Sequence, residues 1–136
     1  MAGPPPTSAA GTSMPTCDFV HVETYQSIIL ARVARERLLD AGQIQAMHEV
    51  LQDHVNRHGR PSLVIDMHEV GYMSSAAIGK LVALHKQVKG SKGRMAIAGL
   101  RDSLKPLFKV TGLDKVFDFQ PDAGALVQEW RRKPIA

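Results

Sequence analysis

The sequence predicts an α/β fold: one domain with a mixed sheet of four to five strands, parallel at its centre, and about four helices. Three observations support this prediction. Short apolar runs typical of strands alternate with segments of helical periodicity, an order that favours helices packed on a partly parallel sheet. Residues 63–65 and 95–98 are uniformly apolar, as expected of strands buried on both faces. The first two strand-like segments are separated by only a short turn, which indicates an antiparallel hairpin.

The N-terminal half contains the hairpin and the first predicted helix. Residues 19–24 alternate apolar and polar side chains, as a half-buried strand does, and residues 27–33 form the second strand. Asp40 is suited to be the N-cap of the helix that follows. The apolar positions of this helix repeat at helical spacing and are Ile44, Met47, Leu51 and Val55.

Three further helices are predicted in the C-terminal half. The first begins at Ser75, continues to about Lys89 and turns through residues 90–93 into a buried strand. Ser103 is expected to cap the next helix, which ends at Gly112, and residues 116–119 form a short edge strand or an extended link. Asp122 is expected to cap the last helix. The inward positions of these helices are Ile78, Leu81, Val82, His85, Val88, Leu104, Leu107, Phe108, Leu126, Val127 and Trp130.

Length and composition bound the domain organisation. A chain of 136 residues suits one domain, and its 44% apolar and 22% charged residues are ordinary for a globular protein. Residues 1–17 are rich in Pro, Ser and Ala and carry no charged side chain, so we expect a disordered tail before a folded domain over residues 18–133. The single cysteine, Cys17, excludes an internal disulfide framework and fits a cytoplasmic location. We expect neither a membrane span nor a secretory signal.

Two adjacent serines, Ser74 and Ser75, open the second helix at the carboxyl end of a strand. They are followed by Ala76 and Ala77, and a run of small residues leaves room for a partner. In sheets with parallel strands, sites gather beyond the carboxyl ends of the strands. Asp40 lies at a comparable position before the first helix, so we expect it to be a neighbour of the serines. A phosphate would be tolerated at such a helix start, because the unpaired N–H groups there favour negative charge.

Charge is distributed unevenly along the chain. The formal net charge is +4, and the segment between Val70 and Arg101 contains no acidic residue. Such a basic face favours an acidic protein partner. It does not favour nucleic acid, because Tyr72 is the only base-stacking aromatic residue of the segment. The cations of this segment are Lys80, Lys86, Lys89, Lys92, Arg94 and Arg101.

The residues after the first central strand carry a recognisable pattern. Residues 66–79 read DMHEVGYMSSAAIG, and residues 107–113, beyond the second central strand, read LFKVTGL. In this order the segments resemble the STAS domain (sulfate transporter and anti-sigma factor antagonist). In that family an apolar strand leads to an Asp-Ser-Ser/Thr-Gly-Leu-Gly motif, and a basic helix, a strand and a Thr/Ser-Gly-Leu motif follow. The resemblance covers almost the whole chain after Asp18.

The resemblance implies a regulatory protein of the anti-sigma factor antagonist type. Such a protein binds an anti-sigma factor or a serine-kinase-like ATPase domain, and phosphorylation of one serine breaks the binding. That serine corresponds to Ser75. Ser74 replaces the family's aspartate and is a second candidate, and Ala76 and Ala77 replace the Ser/Thr and the glycine. The partner-binding residues implied are Asp40, Ser74, Ser75, Ala76, Ala77, Gly79 and Lys80, in a monomer or weak dimer.

Two alternatives remain open within the same fold. The chain could be a scaffold that binds a partner without phosphorylation, or a STAS domain that binds a small ligand. We expect no enzyme activity and no cofactor, because the sequence has no phosphate-binding loop, no nucleophile motif and no pair of catalytic acids. His54 and His58 are four residues apart near a helix end, but only Asp53 and His48 are nearby in sequence and there is no cysteine cluster, so no metal site is expected.

Overall fold

A computed structural model describes residues 17–134, which form seven strands and four helices. In chain order, the strands are β1 (Val20–Tyr25), β2 (Ile28–Val33), β3 (Arg37–Leu38), β4 (Ser62–Asp66), β5 (Tyr72–Met73), β6 (Arg94–Ala98) and β7 (Asp118–Gln120). The helices are α1 (Ala41–Asn56), α2 (Ser75–Gly90), α3 (Lys105–Val110) and α4 (Ala123–Arg132).

The main sheet contains five strands in the spatial order β1-β2-β4-β6-β7. The hairpin of β1 and β2 is antiparallel, and the pairs β2–β4, β4–β6 and β6–β7 are parallel. The predicted mixed sheet with a parallel centre and about four helices is therefore confirmed. As a consequence, the carboxyl ends of β2, β4, β6 and β7 lie along one edge of the sheet.

The sheet is covered by helices on both faces. A larger core cluster joins one face to α1, α2 and α3, and a smaller cluster joins the other face to α4. The alternation of a strand explains the division. Leu63 and Ile65 of β4 belong to the larger cluster, whereas Val64 between them belongs to the smaller one. All three are fully buried, so the prediction of a central strand buried on both faces is confirmed.

A second, two-stranded sheet was not predicted. β3 and β5 are parallel, and they pair Arg37 with Tyr72 and Leu38 with Met73. The backbone N–H groups of Gly71 and Tyr72 both donate to the carbonyl of Glu36, at 2.8 and 2.9 Å. This small sheet ties the segment before α1 to the segment before α2.

Side-chain caps define the starts of three helices. The Asp40 carboxylate accepts a hydrogen bond from Gln43 N at 2.9 Å, and the Asp122 carboxylate accepts one from Ala125 N at 2.7 Å. The Ser74 hydroxyl accepts one from Ala77 N at 3.3 Å. These bonds satisfy N–H groups that have no partner within the helix. The predicted caps at Asp40 and Asp122 are confirmed.

The prediction that Ser103 caps the third helix is wrong. α3 begins at Lys105 after Leu104, and it has no side-chain cap. The Ser103 hydroxyl instead donates to the carbonyl of Gly71 at 3.3 Å and so connects α3 to the small sheet. The end of α3 agrees with the prediction, because Gly112 follows it with a positive φ of 76°, a conformation that favours glycine.

Two boundaries differ from the prediction. The last strand lies at Asp118–Gln120 rather than at residues 116–119, because Val116 ends a 3-10 turn over Leu113–Lys115. Cys17, assigned to the tail, is half-buried and packs against the larger core cluster. The rest of the predicted tail, residues 1–16, lies outside the described residues.

Candidate functional site

The β3–β5 pairing places the starts of α1 and α2 side by side. Leu38 pairs with Met73, and Ser74 N donates to the carbonyl of Leu38 at 3.2 Å. The N-caps follow directly, since Asp40 is two residues after Leu38 and Ser74 is the residue after Met73. The structure thus brings together the two helix starts that the sequence predicted to be neighbours. Unpaired N–H groups and the positive ends of two helix dipoles converge there.

The two serines have different surroundings. Ser74 is half-buried, and its hydroxyl is occupied by the capping bond to Ala77 N. Ser75 is the first residue of α2, and its side chain is exposed. Among residues 17–134, no group forms a hydrogen bond with the Ser75 hydroxyl. Ser75 is therefore the serine that a partner or a modifying enzyme can reach.

Small exposed residues extend this region along α2. Ala76 and Gly79 are exposed, and a Cβ atom added at Gly79 would meet no atom within 4 Å. Lys80 is half-buried at the margin. We call this region the serine surface and define it by Asp40, Ser74, Ser75, Ala76, Gly79 and Lys80.

Ala77 does not belong to the serine surface, contrary to the prediction. Its side chain is fully buried in the larger core cluster, where Ile78 lies beside it. The physical reason is the helical repeat of about 3.6 residues per turn, which turns neighbouring positions toward different environments. Ala77 contributes its backbone N–H to the Ser74 cap, and its methyl group packs inward.

The first turn of α2 lacks negative charge of its own. The first turn of α2 contains no acidic residue, so nothing on this turn replaces the carboxylate of the family motif. Nearby on α1, burial lowers the pKa of His48, and the charge of Lys80 lowers it further. The nearest carboxylate in the serine surface is that of Asp40, and it is engaged in capping α1.

An apolar groove of about 560 Å³ continues the serine surface, and sequence reasoning missed it. Its lining includes Leu39 and Met73, the residues directly before Asp40 and Ser74. Leu39, Tyr72 and Val110 are exposed by 43%, 51% and 85%, unusually far for large apolar side chains. Grouped exposed apolar side chains mark surfaces that partners cover. In the sequence, the only sign of the groove is that Leu39, Tyr72 and Val110 are apolar residues near helix boundaries. The tertiary structure is needed to bring them together.

The described residues hold neither a cluster of metal ligands nor a helix that could cross a membrane. Within residues 17–134, no three His, Cys, Asp or Glu side chains are grouped closely enough to hold a metal ion. His58 Nδ1 lies 2.8 Å from the carbonyl of His54, an ordinary contact within a helix end. In the same part of the chain, no helix has the length and apolar character needed to cross a membrane.

Comparison with known proteins identifies the family. The family model of the STAS domain matches residues 20–125, and the chain belongs to this family. The anti-sigma-B factor antagonists of Listeria monocytogenes and Listeria innocua are each 33% identical to it over 64 residues, which cover 47% of this chain and 56% of theirs. The chain therefore spans about half the length of these curated relatives.

Solved structures share the fold. The anti-sigma factor antagonist SpoIIAA in its unphosphorylated form has a TM-score of 0.71 and 12% identity, over 86% of this chain and 98% of that chain. The phosphorylated form of the Bacillus cell fate determinant SpoIIAA has a TM-score of 0.66 and 12% identity, over 81% of this chain and 97% of that chain. At these identities the likeness establishes the architecture.

Proposed function

We propose that this chain is an anti-sigma factor antagonist that binds an anti-sigma factor or serine-kinase-like ATPase domain through the serine surface, and that phosphorylation of Ser75 breaks the complex. Membership of the STAS family and the names of the Listeria relatives support the antagonist activity. SpoIIAA, which shares the fold, exists in phosphorylated and unphosphorylated forms. A regulator of this kind acts in the cytoplasm.

The different roles of the two serines carry the proposal. The Ser74 hydroxyl caps α2, so a phosphate on it would require the bond from Ala77 N to rearrange. The exposed Ser75 hydroxyl does not cap the helix. Ser75 can therefore accept a phosphate without loss of a contact on which the fold depends.

The physics of the helix start explains why phosphate acts on binding rather than on folding. A phosphate adds nearly two negative charges and three acceptor oxygens. Negative charge is stabilised at the N-terminus of a helix, so α2 keeps its structure. The serine surface is built from small residues, and a partner that fits closely against Ala76 and Gly79 has no room for the added group. Desolvation of the phosphate opposes binding as well.

The apolar groove supplies contact area next to this switch. Leu39, Tyr72 and Val110 offer the apolar surface that a protein partner can bury. The serine surface then supplies the part of the interface that is sensitive to charge.

A second function, a scaffold that binds without phosphorylation, is favoured by one observation. Ser74 stands where the family has an aspartate, and the first turn of α2 contains no acidic residue. A kinase that positions its substrate through that carboxylate would not recognise this chain. The serine surface and the groove would then bind a partner permanently.

Phosphorylation and binding measured together distinguish the two functions. The chain is incubated with ATP and each anti-sigma factor kinase of its host, and the phosphate is located by mass spectrometry. We expect it on Ser75. Ser75→Asp should weaken binding by at least about tenfold, a loss of about 1.4 kcal/mol. The same variant should unfold at an unchanged or slightly higher urea concentration, because a carboxylate near a helix N-terminus is favourable by about 0.3–1 kcal/mol.

Ser27→Asp is the matched control, because Ser27 is an exposed serine in the turn between β1 and β2. It adds the same charge away from the serine surface and should leave binding unchanged. Phosphate on Ser74 instead would mean that Ser74, not Ser75, is the regulatory phosphorylation site. A tight complex in which no kinase modifies either serine would favour the scaffold.

A further inference from the structure

A cavity of about 810 Å³ lies apart from the serine surface, at the edge of the main sheet where the parallel strands end. His68 follows β4 by two residues, Gly99 is the residue after β6, and Gln120 ends β7, and all three line the cavity. A volume of this size suits a small organic molecule. The carboxyl ends of parallel strands are a common place for ligands in such sheets.

The floor of the cavity is apolar. Leu100, Phe108, Phe119 and Pro121 line it. The rings of Phe108 and Phe119 meet edge to face with their centroids 5.5 Å apart, so this wall is packed rather than loose. Phe108 is nearly fully buried, whereas Leu100 and Phe119 remain half-exposed and can contact a ligand.

One side of the cavity carries three cations at intervals of four residues. Arg101, Lys105 and Lys109 all line it, and all three are exposed. The Nε atom of Arg101 donates to the carbonyl of His68 at 2.9 Å, which holds this side chain across the junction of two lining segments. Lys105 and Lys109 both lie on α3, where like charges at this spacing repel one another. An anion placed among them would relieve the repulsion.

Carboxylates near the cavity offset these charges only in part. Asp114 is the one carboxylate among the lining residues. Asp102 pairs with Lys105 at 2.8 Å, but its side chain is 95% exposed, so water screens the pair strongly. The Asp66 carboxylate accepts a bond from His68 N at 3.1 Å and lies 2.8 Å from His68 Nδ1. Within the described part of the chain, Lys109 takes part in no ion pair.

We propose that this cavity binds a small organic anion with an apolar body, whose carboxylate or phosphate group lies among Arg101, Lys105 and Lys109 and whose body contacts Leu100 and Phe119. An apolar floor beside a cationic rim selects a molecule that has both parts. An uncharged apolar molecule would make no ionic contact with these cations, and a bare inorganic anion would leave the apolar floor exposed to water.

The test uses the full chain labelled with ¹⁵N and follows amide shifts during titration. The probes are decanoate, with a flexible apolar body, and 1-naphthyl phosphate, with a flat one. Decanol and inorganic phosphate represent the two halves alone. We expect saturable shifts around Gly99, Arg101 and Gln120 with at least one of the two anions. Each half alone should bind at least about tenfold more weakly, because decanol lacks the charged group and inorganic phosphate lacks the apolar body.

Charge reversal assigns the binding to the cavity. Lys105→Glu with Lys109→Glu should weaken the anion by at least about tenfold. Lys86→Glu with Lys89→Glu makes the same change in net charge on exposed residues of α2 outside the cavity, and should alter affinity by less than about twofold. Circular dichroism checks that both double variants fold. Equal affinity of the two double variants, or the failure of both anions to saturate, would overturn the proposal.

The outcome is separate from that of the proposed function. Ser75→Asp leaves every lining residue of the cavity in place and should bind the anion normally. A chain that binds the anion but no anti-sigma factor would overturn the proposed function alone. A chain that binds its partner but neither anion would overturn the ligand site alone.

Discussion

Ala76 and Ala77 are adjacent and chemically identical, yet they face different surroundings. Ala76 is exposed on the serine surface, whereas Ala77 is fully buried. The pair therefore allows the proposed contact with a partner to be tested separately from the stability of the fold. A substitution to leucine adds the same volume at either position.

We expect Ala76→Leu and Ala77→Leu to have opposite effects. Ala76→Leu should change the free energy of unfolding by less than about 0.5 kcal/mol and abolish partner binding, because its bulk stands in the middle of the proposed interface. Ala77→Leu overfills a packed core and should destabilise the protein by about 1–3 kcal/mol. Urea unfolding and a binding titration with the kinase or anti-sigma factor measure the two quantities. Full binding by Ala76→Leu would remove Ala76 from the interface.

At the scale of elements, α4 packs on the face of the sheet opposite to α1, α2 and α3. Its inward residues, Trp130 among them, form the smaller core cluster with residues of β2, β4 and β6. The guanidinium of Arg94, from β6, lies 4.3 Å from the centroid of the Trp130 ring, and Arg94 Nε donates to the Ser62 hydroxyl of β4 at 3.0 Å. One cation thus connects two strands and the helix that covers them.

Trp130→Ala should therefore be strongly destabilising. The substitution removes a side chain that is 6% exposed and the ring on which Arg94 rests, and a loss of about 3–5 kcal/mol is expected from such a truncation. Equilibrium unfolding in urea measures it. Gln128→Ala, on the exposed side of the same helix, should change stability by less than about 0.5 kcal/mol. Similar losses in both variants would mean that α4 contributes by helix formation rather than by packing.

Elements with their own local signal were predicted from the sequence, and elements without one were not. α1, α2 and α4 combine a capping residue with several turns of apolar periodicity, and the structure confirms all three. β3 and β5 each have two residues, too few to show any periodicity, and they form only because tertiary packing brings them together. The same lack of a local signal explains the wrong prediction for Ser103. Its hydroxyl donates to the carbonyl of Gly71, which is distant in sequence, instead of accepting from an N–H group of α3.

The candidate site divides in a similar way. The serines and Asp40 could be predicted because caps and family motifs are local in sequence. The inward direction of Ala77 follows from the rotational phase of α2, because Ala77 precedes Leu81 of the predicted inward face by four residues; the run of four small residues does not reveal it by itself. Leu39, Tyr72 and Val110 come from three separate segments, so the groove that they share follows only from the fold.

At the scale of the whole molecule, three histidines make stability depend on pH. Burial lowers the pKa of His48, His54 and His85 below the ordinary value of 6.5. Just below that pH the unfolded chain therefore binds more protons than the folded one. The stabilisation is fully present above about pH 6.5 and is lost as the pH falls from there toward the lowered pKa values.

We expect the free energy of unfolding to decrease between about pH 7 and about pH 5, before most carboxylates titrate. Urea unfolding at a series of pH values measures this slope. Replacing His48, His54 and His85 together by Gln should flatten the slope in that window. An unchanged slope in the triple variant would assign the acid sensitivity to other groups.

The β3–β5 pairing also bears on the speed of partner exchange. The backbone segments that lead to the serine surface are already joined by hydrogen bonds, so a partner meets a surface that needs little ordering. On the side of this chain, encounter then requires the orientation of a preformed surface, and we expect differences in affinity between variants mostly in the dissociation rate. Because the four paired residues of β3 and β5 hold this surface in place, a phosphate on the Ser75 hydroxyl would act mainly by shortening the residence time of the complex.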